Sequence, residues 1–294
     1  MARFSPKIGI VFKKIFGVEE NTDLLISFIN SILGAEDQVS DVTLLNPYNP
    51  KNFGNENLLI LDIKAINQDG KRFNIEIQIL HEADYDQRDL YDWAQKYTEQ
   101  LQIAEDYSKL SKAIGNHILN ITSVFGTKKY HHVFHITEQE TSLLDCKDLE
   151  LHTIELNKFS SNYNEKLEDI VLKVKNPLDM WLAFLTRHYL LTLDNLPREF
   201  NDINLKKAIN VLSVMNLTPE EKEAYENNLK WLLIKINTLK KYEQKGREKG
   251  IQILAARGEA NVKIEIAKKM LSKNHPISDI CEITGLSPEE ISEL

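Results

Sequence analysis

The chain has 294 residues and a mass of 34.0 kDa, with 42% hydrophobic and 27% charged residues, which is typical of a globular protein with a sizeable core. No apolar stretch approaches the roughly 20 residues of a membrane-spanning helix, and the lysine-containing amino terminus lacks the features of a secretory signal. The net charge of −8 argues against a protein that coats nucleic acid through bulk electrostatic attraction.

Cysteine content and charge distribution further limit which kinds of protein this chain can be. Cys146 and Cys281 are too few and too far apart for a disulfide framework or a zinc site with four cysteine ligands, so we expect a cytoplasmic protein. Residues 206–275 contain 15 Lys and Arg against 8 Asp and Glu, so any polyanionic partner would meet this basic region or a bound cation. Alternatively, these charges pair along a solvated helix.

The first half of the chain alternates between helix and strand patterns. Apolar residues at helical spacing predict an amphipathic helix over residues 23–33, ended by Gly34. Two apolar or alternating segments flank the turn signal Gln68-Asp69-Gly70 and predict a β-hairpin, with strands at Asn57–Ile66 and Arg72–Leu80. A long helix and three strands are expected next, at Gln87–Leu110, Asn116–Phe125, His131–Ile136 and Leu149–Phe159.

The second half has few strand signals and reads as helical. Three helices are expected at Trp181–Leu191, Asn204–Met215 and Pro219–Leu239, followed by a charged helix at Tyr242–Met270 and two short helices within Ile277–Leu294. The last two have a helix-turn-helix layout, but residues 276–294 carry five acids and no Lys or Arg, which favours protein contact or packing over binding in a DNA groove.

The predicted hairpin contains the candidate metal-binding and catalytic residues. A three-residue loop centred on Asp69 places Asp62 opposite Glu76, with Cβ atoms about 5 Å apart. Two adjacent carboxylates repel unless a cation neutralises them, and hard oxygen ligands favour Mg²⁺ or Mn²⁺, with the Ile77 carbonyl as a further ligand. Such a metal can activate water for phosphodiester hydrolysis. The alternative is a half-buried hairpin whose polar face is simply hydrated.

Three histidines invite comparison with a zinc site. In a strand, His131 and His135 share one face while His132 points to the other. Because no fitting cysteine or carboxylate cluster is near in sequence, we interpret them as structural or surface residues.

Several motifs in order resemble the Rpn family of recombination-promoting nucleases and transposases, within the PD-(D/E)XK nuclease superfamily. They include Phe12-Lys13-Lys14-Ile15-Phe16-Gly17, Leu61-Asp62-Ile63-Lys64-Ala65, Asn74-Ile75-Glu76-Ile77-Gln78 and Glu155-Leu156-Asn157-Lys158-Phe159. The resemblance also includes Arg88, Tyr91, Tyr97 and Gln100, and extends through the Glu-, Lys- and Gly-rich tail.

The resemblance implies an α+β chain with a restriction-endonuclease-like core and a mainly helical C-terminal region. Asp62 and Glu76 would hold the metal, and Gln78, where the superfamily more often has lysine, would position water or a phosphate oxygen. The family's first acidic position falls on Gly9, which puts a third metal-site carboxylate in doubt. Arg88 is either a phosphate contact or part of a helix surface.

Lys13 and Lys14 are the other candidates for phosphate contact, with a solvated helix flank as the alternative. We expect a nuclease-like domain at residues 1–160, a helical region at 161–241 and a charged helical tail at 242–294. The predicted function is Mg²⁺-dependent DNA cleavage linked to recombination or transposition, with DNA as partner, no membrane association, and self-association through the helical region or tail. Alternatives are a non-cleaving descendant that binds DNA or protein, and an interaction protein acting through its tail.

Overall fold

The computed structural model describes residues 4–48, 62–78, 85–101, 106–162 and 164–294. The chain divides into two units, residues 1–232 and 233–294, each with its own hydrophobic core. The first unit is of the α+β class. Within the described residues, no helix is both long and apolar enough to span a bilayer.

A six-stranded mixed sheet organises the first unit, in the order β1-β2-β3-β4-β6-β5. Its strands are β1 (Thr43–Leu44), β2 (Asp62–Ile66), β3 (Arg72–Gln78), β4 (Ala113–Leu119), β5 (His131–Thr137) and β6 (Leu144–Glu155). Strands β3, β4 and β6 are parallel, whereas the β1–β2, β2–β3 and β5–β6 pairs are antiparallel. The carboxyl ends of three parallel strands therefore meet at one edge of the sheet.

The β2–β3 hairpin has the predicted register. Asn67 donates its backbone N–H to the Lys71 carbonyl, which closes a three-residue loop centred on Asp69. Gly70 has a φ of +81°, and a Cβ at this position would lie 2.7 Å from Ser111 Oγ, so this turn requires glycine. The parts of the two predicted strands at residues 57–61 and 79–80 lie outside the described residues.

Helix α1 (Gly9–Phe16) lies on one face of the sheet. Three further helices share its hydrophobic core: α2 (Thr22–Ile32), α6 (Pro177–Arg187) and α7 (Ile203–Val214). Helix α1 packs on β2 and β3, and α2 packs on α1, α6 and α7. The centre of this core is aromatic, because the Phe28 ring lies 5.1 Å from Phe16 and 5.7 Å from the fully buried Trp181. Ile63 and Ile75 are buried in the same core.

Helix α3 (Tyr85–Thr98) packs against β4, and the Trp93 indole N–H donates to the Ala113 carbonyl at 2.8 Å. The prediction that this helix continues to Leu110 is wrong, because α3 ends at Thr98. Residues 102–105 of the predicted span lie outside the described residues. The Gln100 side chain bonds both the N–H and the carbonyl of Ser111, each at 2.9 Å, and so ties the chain after α3 to the start of β4.

Two strand predictions need correction. Strand β4 starts at Ala113 and ends at Leu119, before the loop that continues to the expected end at Phe125. The segment Leu156–Phe159 forms a helical turn, α4, instead of extending β6, because both end residues are buried at a spacing of three residues. Helix α5 (Leu167–Lys173) follows.

The second unit consists of helical segments. Helix α8 (Pro219–Ser272) begins in the first unit and contains both of the helices predicted there, because Lys240 and Lys241 between them favour helix. Helices α9 (Ile277–Thr284) and α10 (Pro288–Ser292) form the expected pair. A small core of Ala267, Ile280 and Ile291 holds them to α8.

Candidate active site

Asp62 and Glu76 lie directly opposite each other in the β2–β3 hairpin. Residues paired in this way have Cβ atoms about 4.5–5.5 Å apart and project from the same face of the sheet. The Asp62 side chain is 25% exposed, whereas Glu76 is only 2% exposed. The hairpin therefore brings together one carboxylate that solvent reaches and one that is buried.

Asn46 fixes the start of β2, and with it the first carboxylate. Its Nδ2 donates to the Asp62 backbone carbonyl at 3.1 Å and to Asp62 Oδ1 at 3.4 Å, while its Oδ1 accepts the Lys64 N–H at 2.7 Å. The Lys64 Nζ lies 3.9 Å from Asp62 Oδ2. One side chain thus orients the Asp62 backbone and carboxylate together, with a cation alongside.

Gln78 ends β3 and is 8% exposed. Its backbone carbonyl accepts the Asn120 N–H at 3.0 Å, and Asn120 Oδ1 in turn accepts from Lys7 Nζ at 3.4 Å. Burial, and then the charge of Arg187, lowers the pKa of Lys7. A lysine therefore lies near the end of β3, where the side chain of Gln78 supplies no positive charge.

His117 occupies the position beside Glu76 on the parallel strand β4 and is 2% exposed. Gly115 leaves room for its ring, because a Cβ on this glycine would lie 2.8 Å from His117 Nε2 and 2.7 Å from Leu151 Cδ2. Our sequence analysis did not single out His117. The available signal was a histidine next to Asn116 in a strand whose other residues are Ala, Gly, Ile and Leu.

Glu155 and Lys158 of the motif Glu155–Phe159 have a structural role. It is fully buried, and its Oε1 accepts the N–H groups of Ser123 and Val124 at 2.6 and 3.2 Å. Lys158 Nζ lies 2.5 Å from the other oxygen. This carboxylate and its lysine therefore shape the loop after β4, at the sheet edge where Gln78 ends its own strand.

The structure also locates three other residues discussed in the sequence prediction: Ile77, Arg88 and Gly9. Ile77 lies between Glu76 and Gln78 in β3. Its side chain is 4% exposed and lies in the core, so only its peptide group is available as a metal ligand. Arg88 lies in α3, but its side chain is outside the described residues. Gly9 is the first residue of α1 and contributes no carboxylate.

The two lysines of α1 are engaged by the protein. Lys13 is 3% exposed, so the alternative of a solvated flank is wrong for it. Lys14 Nζ lies 2.7 Å from Oε2 of the buried Glu221 and 5.5 Å from the centre of the Tyr48 ring. Phosphate contact by Lys14 would have to compete with this ion pair.

The carboxylate pair suits a divalent cation by its chemistry. Mg²⁺ keeps several of its waters and is usually bound through one or two carboxylates, which is what Asp62 and Glu76 offer. Within the part of the chain that the structure describes, no cluster of three or more His, Cys, Asp or Glu is arranged to hold a metal. The hard oxygens of this pair disfavour zinc.

A second polar network lies on the opposite face of the sheet. His152 bonds Glu150 at 2.6 Å and His131 at 2.9 Å, and Lys112 donates to Glu150 at 2.7 Å. Burial raises the pKa of Glu150, but the hydrogen bonds from His152 and Lys112 outweigh it and lower the pKa to about 2. Glu150, on the neighbouring strand, thus gives His131 and His152 a place in a buried hydrogen-bond network, which fits the structural role expected for His131.

Comparison with known proteins identifies one family. The family model for PD-(D/E)XK nuclease family transposases matches residues 6–241, which covers the whole described sheet and the helices packed on it. No curated protein and no solved structure matches the chain.

Proposed function

Because the chain belongs to the PD-(D/E)XK nuclease family of transposases, we propose that it is a metal-dependent DNA endonuclease with a role in recombination or transposition. One observation carries the proposal: Asp62 and Glu76 are paired across the hairpin. Family membership indicates nuclease chemistry. The Asp62–Glu76 pair is the proposed site of that chemistry. DNA is the proposed substrate.

The proposal includes a restriction-endonuclease-like core. The antiparallel β1–β2–β3 segment is followed by a crossover through α3 to the parallel strand β4, and the paired carboxylates lie within its central hairpin. Helix α1, which carries the Phe-Lys motif, packs on β2 and β3. This order of elements supports a single nuclease-like core within residues 6–241.

Asp62, Glu76 and the Ile77 carbonyl would hold Mg²⁺ or Mn²⁺. The cation would supply Lewis-acid stabilisation of the charge that develops on the phosphate, and would make water more acidic. Asp62, at 25% exposure, is the carboxylate that an incoming phosphate group can approach. Asn46 holds that carboxylate in place, so that it needs little reorganisation when substrate binds.

Gln78 would orient the attacking water or a phosphate oxygen, since its amide both donates and accepts hydrogen bonds. It supplies no charge, so positive charge near the phosphate must come from elsewhere. Lys64 is a candidate, because its ammonium group lies 3.9 Å from Asp62 and is 39% exposed. Arg88 is retained as a proposed phosphate contact from α3.

A plasmid-nicking assay in Mg²⁺, Mn²⁺ and EDTA tests the proposal. Wild-type protein is expected to cleave only with a divalent ion, while Asp62→Ala and Glu76→Ala should abolish cleavage and retain the fold. Asp69→Asn is the matched control, since it removes a carboxylate from the same hairpin but at the turn, and should keep activity. Full activity in either site variant would overturn the assignment.

A descendant that binds DNA or protein without cutting is the second candidate. It is favoured by Gly9 at the start of α1, where the family has an acidic residue, and by the uncharged Gln78. Calorimetric titration with Mg²⁺ separates the two proposals. The nuclease should bind the ion and lose it in Asp62→Ala, whereas heat-silent titration together with intact plasmid would favour the non-cleaving protein.

A further inference from the structure

Strand β5 lies at one end of the sheet, beyond β6 in the strand order. Within the described residues, no strand pairs with its other side. The Tyr130 carbonyl accepts the Glu155 N–H, so in the alternating pattern of an antiparallel pair the even-numbered residues up to Phe134 bond β6. The backbone N–H and carbonyl groups of His131 and Val133 therefore point away from the sheet, where a further strand can bond them.

The side chains along this edge are largely apolar. Val133, Phe134 and Ile136 are each 42–45% exposed, and Leu144 of the neighbouring β6 is 45% exposed. Residues 130–137 contain no Lys, Arg, Asp, Glu or Pro, which are residues that commonly prevent an edge strand from pairing. A β-bulge follows Phe134, so the regular part of the edge is the first half of the strand. This half is open to another strand.

The two ends of β5 carry opposite charges. Lys128 and Lys129 precede the strand, whereas Glu138 and Glu140 follow it, and all four residues are exposed. Hydrogen bonds from Thr141, and then from the Glu140 N–H, lower the pKa of Glu138 to about 2, so that this carboxylate stays ionised at neutral pH. The strand therefore runs from a positive end to a negative end.

These charges indicate which partner fits the edge. A second β5 in antiparallel orientation places the two lysines of each copy beside the two glutamates of the other, at both ends of the pair. A parallel arrangement would bring like charges together, which is unfavourable. A nucleic acid would meet as many negative charges as positive ones. The edge is therefore complementary to a second copy of itself.

We propose that the protein forms a dimer in which β5 pairs antiparallel with β5 of a second copy. A two-fold axis at Val133 lets the outward N–H and carbonyl of this residue bond their counterparts in the other copy. The same axis places Lys128 opposite Glu138. The two sheets then form one continuous sheet. The interface is thus in the sheet, and not in the helical region or tail, where the sequence led us to expect self-association.

Sedimentation velocity of the full chain, over a concentration series at low salt, tests the proposal. The wild type is expected to change from monomer to dimer as the concentration rises. Val133→Pro should abolish the dimer, because proline removes an outward N–H and leaves the backbone bonds to β6 in place. Circular dichroism establishes whether this variant is folded.

Charge reversal tests the antiparallel orientation. Lys128→Glu and Glu140→Lys should each raise the Kd of the dimer by about fivefold or more, because each puts like charges at both ends of the pair. An equimolar mixture of the two variants should recover the wild-type affinity, since the mixed dimer restores opposite charges at both ends. Lys240→Glu is the matched control, because it reverses one exposed charge in helix α8, and it should leave the Kd unchanged.

Each outcome decides the proposal. A wild type that is monomeric at every concentration would overturn it and leave the edge to a strand of another protein. A dimer that persists in folded Val133→Pro would also overturn it, as would a dimer weakened by Lys240→Glu and not by Lys128→Glu. If Val133→Pro fails to fold, the mixture decides: recovery of the dimer supports the interface, and no recovery overturns it.

Discussion

Replacing Glu76 by glutamine tests whether the paired carboxylates form a cation site, because it removes one charge and keeps the shape of the side chain. With the Cβ separation of about 5 Å taken as the spacing of the two charges, they repel by about 3 kcal/mol at an effective dielectric constant of about 20. Asp62 is 25% exposed, so solvent screens part of this repulsion. We therefore expect Glu76→Gln to raise the free energy of unfolding by about 1–2 kcal/mol in EDTA.

Added Mg²⁺ should stabilise the wild type more than the Glu76→Gln variant. A ligand that binds only the folded state at ten times its Kd stabilises a protein by about 1.4 kcal/mol, and Glu76→Gln should lose most of this gain. The assay is thermal unfolding followed by circular dichroism, in EDTA and across a Mg²⁺ titration. Each kcal/mol corresponds to about 2–4 °C in Tm for a unit of this size.

Glu150→Gln is the matched control. Glu150 is another buried strand carboxylate, at 6% exposure, and it lies on the other face of the sheet, where Lys112 and His152 both bond it. Its replacement should cost about 1–3 kcal/mol with or without Mg²⁺, and should leave the gain from Mg²⁺ unchanged. A Glu76→Gln protein that loses stability in EDTA and still responds fully to Mg²⁺ would refute the reasoning.

Three further predictions concern other parts of the chain. Gly70→Ala should lower the free energy of unfolding by about 1–3 kcal/mol in urea titrations, because the residue has a φ of +81° and its Cβ would meet Ser111. The stability that Glu150 supplies should be present above its ordinary pKa of 4.5 and be lost as the pH falls towards its folded-state pKa of about 2, so its difference from Glu150→Gln should shrink over that interval. Neutralising Lys240, Lys241 and Lys245 together should flatten the slope of log K against log salt for duplex DNA by up to about 2.7, whereas an unchanged slope would assign these lysines to a solvated helix.

The hairpin could be predicted from sequence because its information is local. Loop length and Gly70 determine which residues face each other, and the alternation of β3 determines which face they share. The opposition of Asp62 and Glu76 follows from these two facts alone. No other part of the fold had to be known.

The neighbours of that pair could not be predicted in the same way. His117 lies beside Glu76 only because β4 joins β3 in parallel, and a parallel register depends on a crossover through α3 and not on a tight turn. The helical turn at Leu156–Phe159 was missed because four residues, Leu-Asn-Lys-Phe, are too few to show a helical period.

The contact between Phe28 and Trp181 bears on when the hairpin acquires its support during synthesis. The two rings are 5.7 Å apart in space, but 153 residues apart in the chain. At about 5–20 residues per second, roughly 8–30 s separate the translation of one from that of the other. During that interval the nascent chain carries Asp62 and Glu76 but lacks α6, which completes the aromatic core. We expect an unfinished polypeptide to hold neither carboxylate in position, so that the proposed site is complete only after most of the first unit has been made.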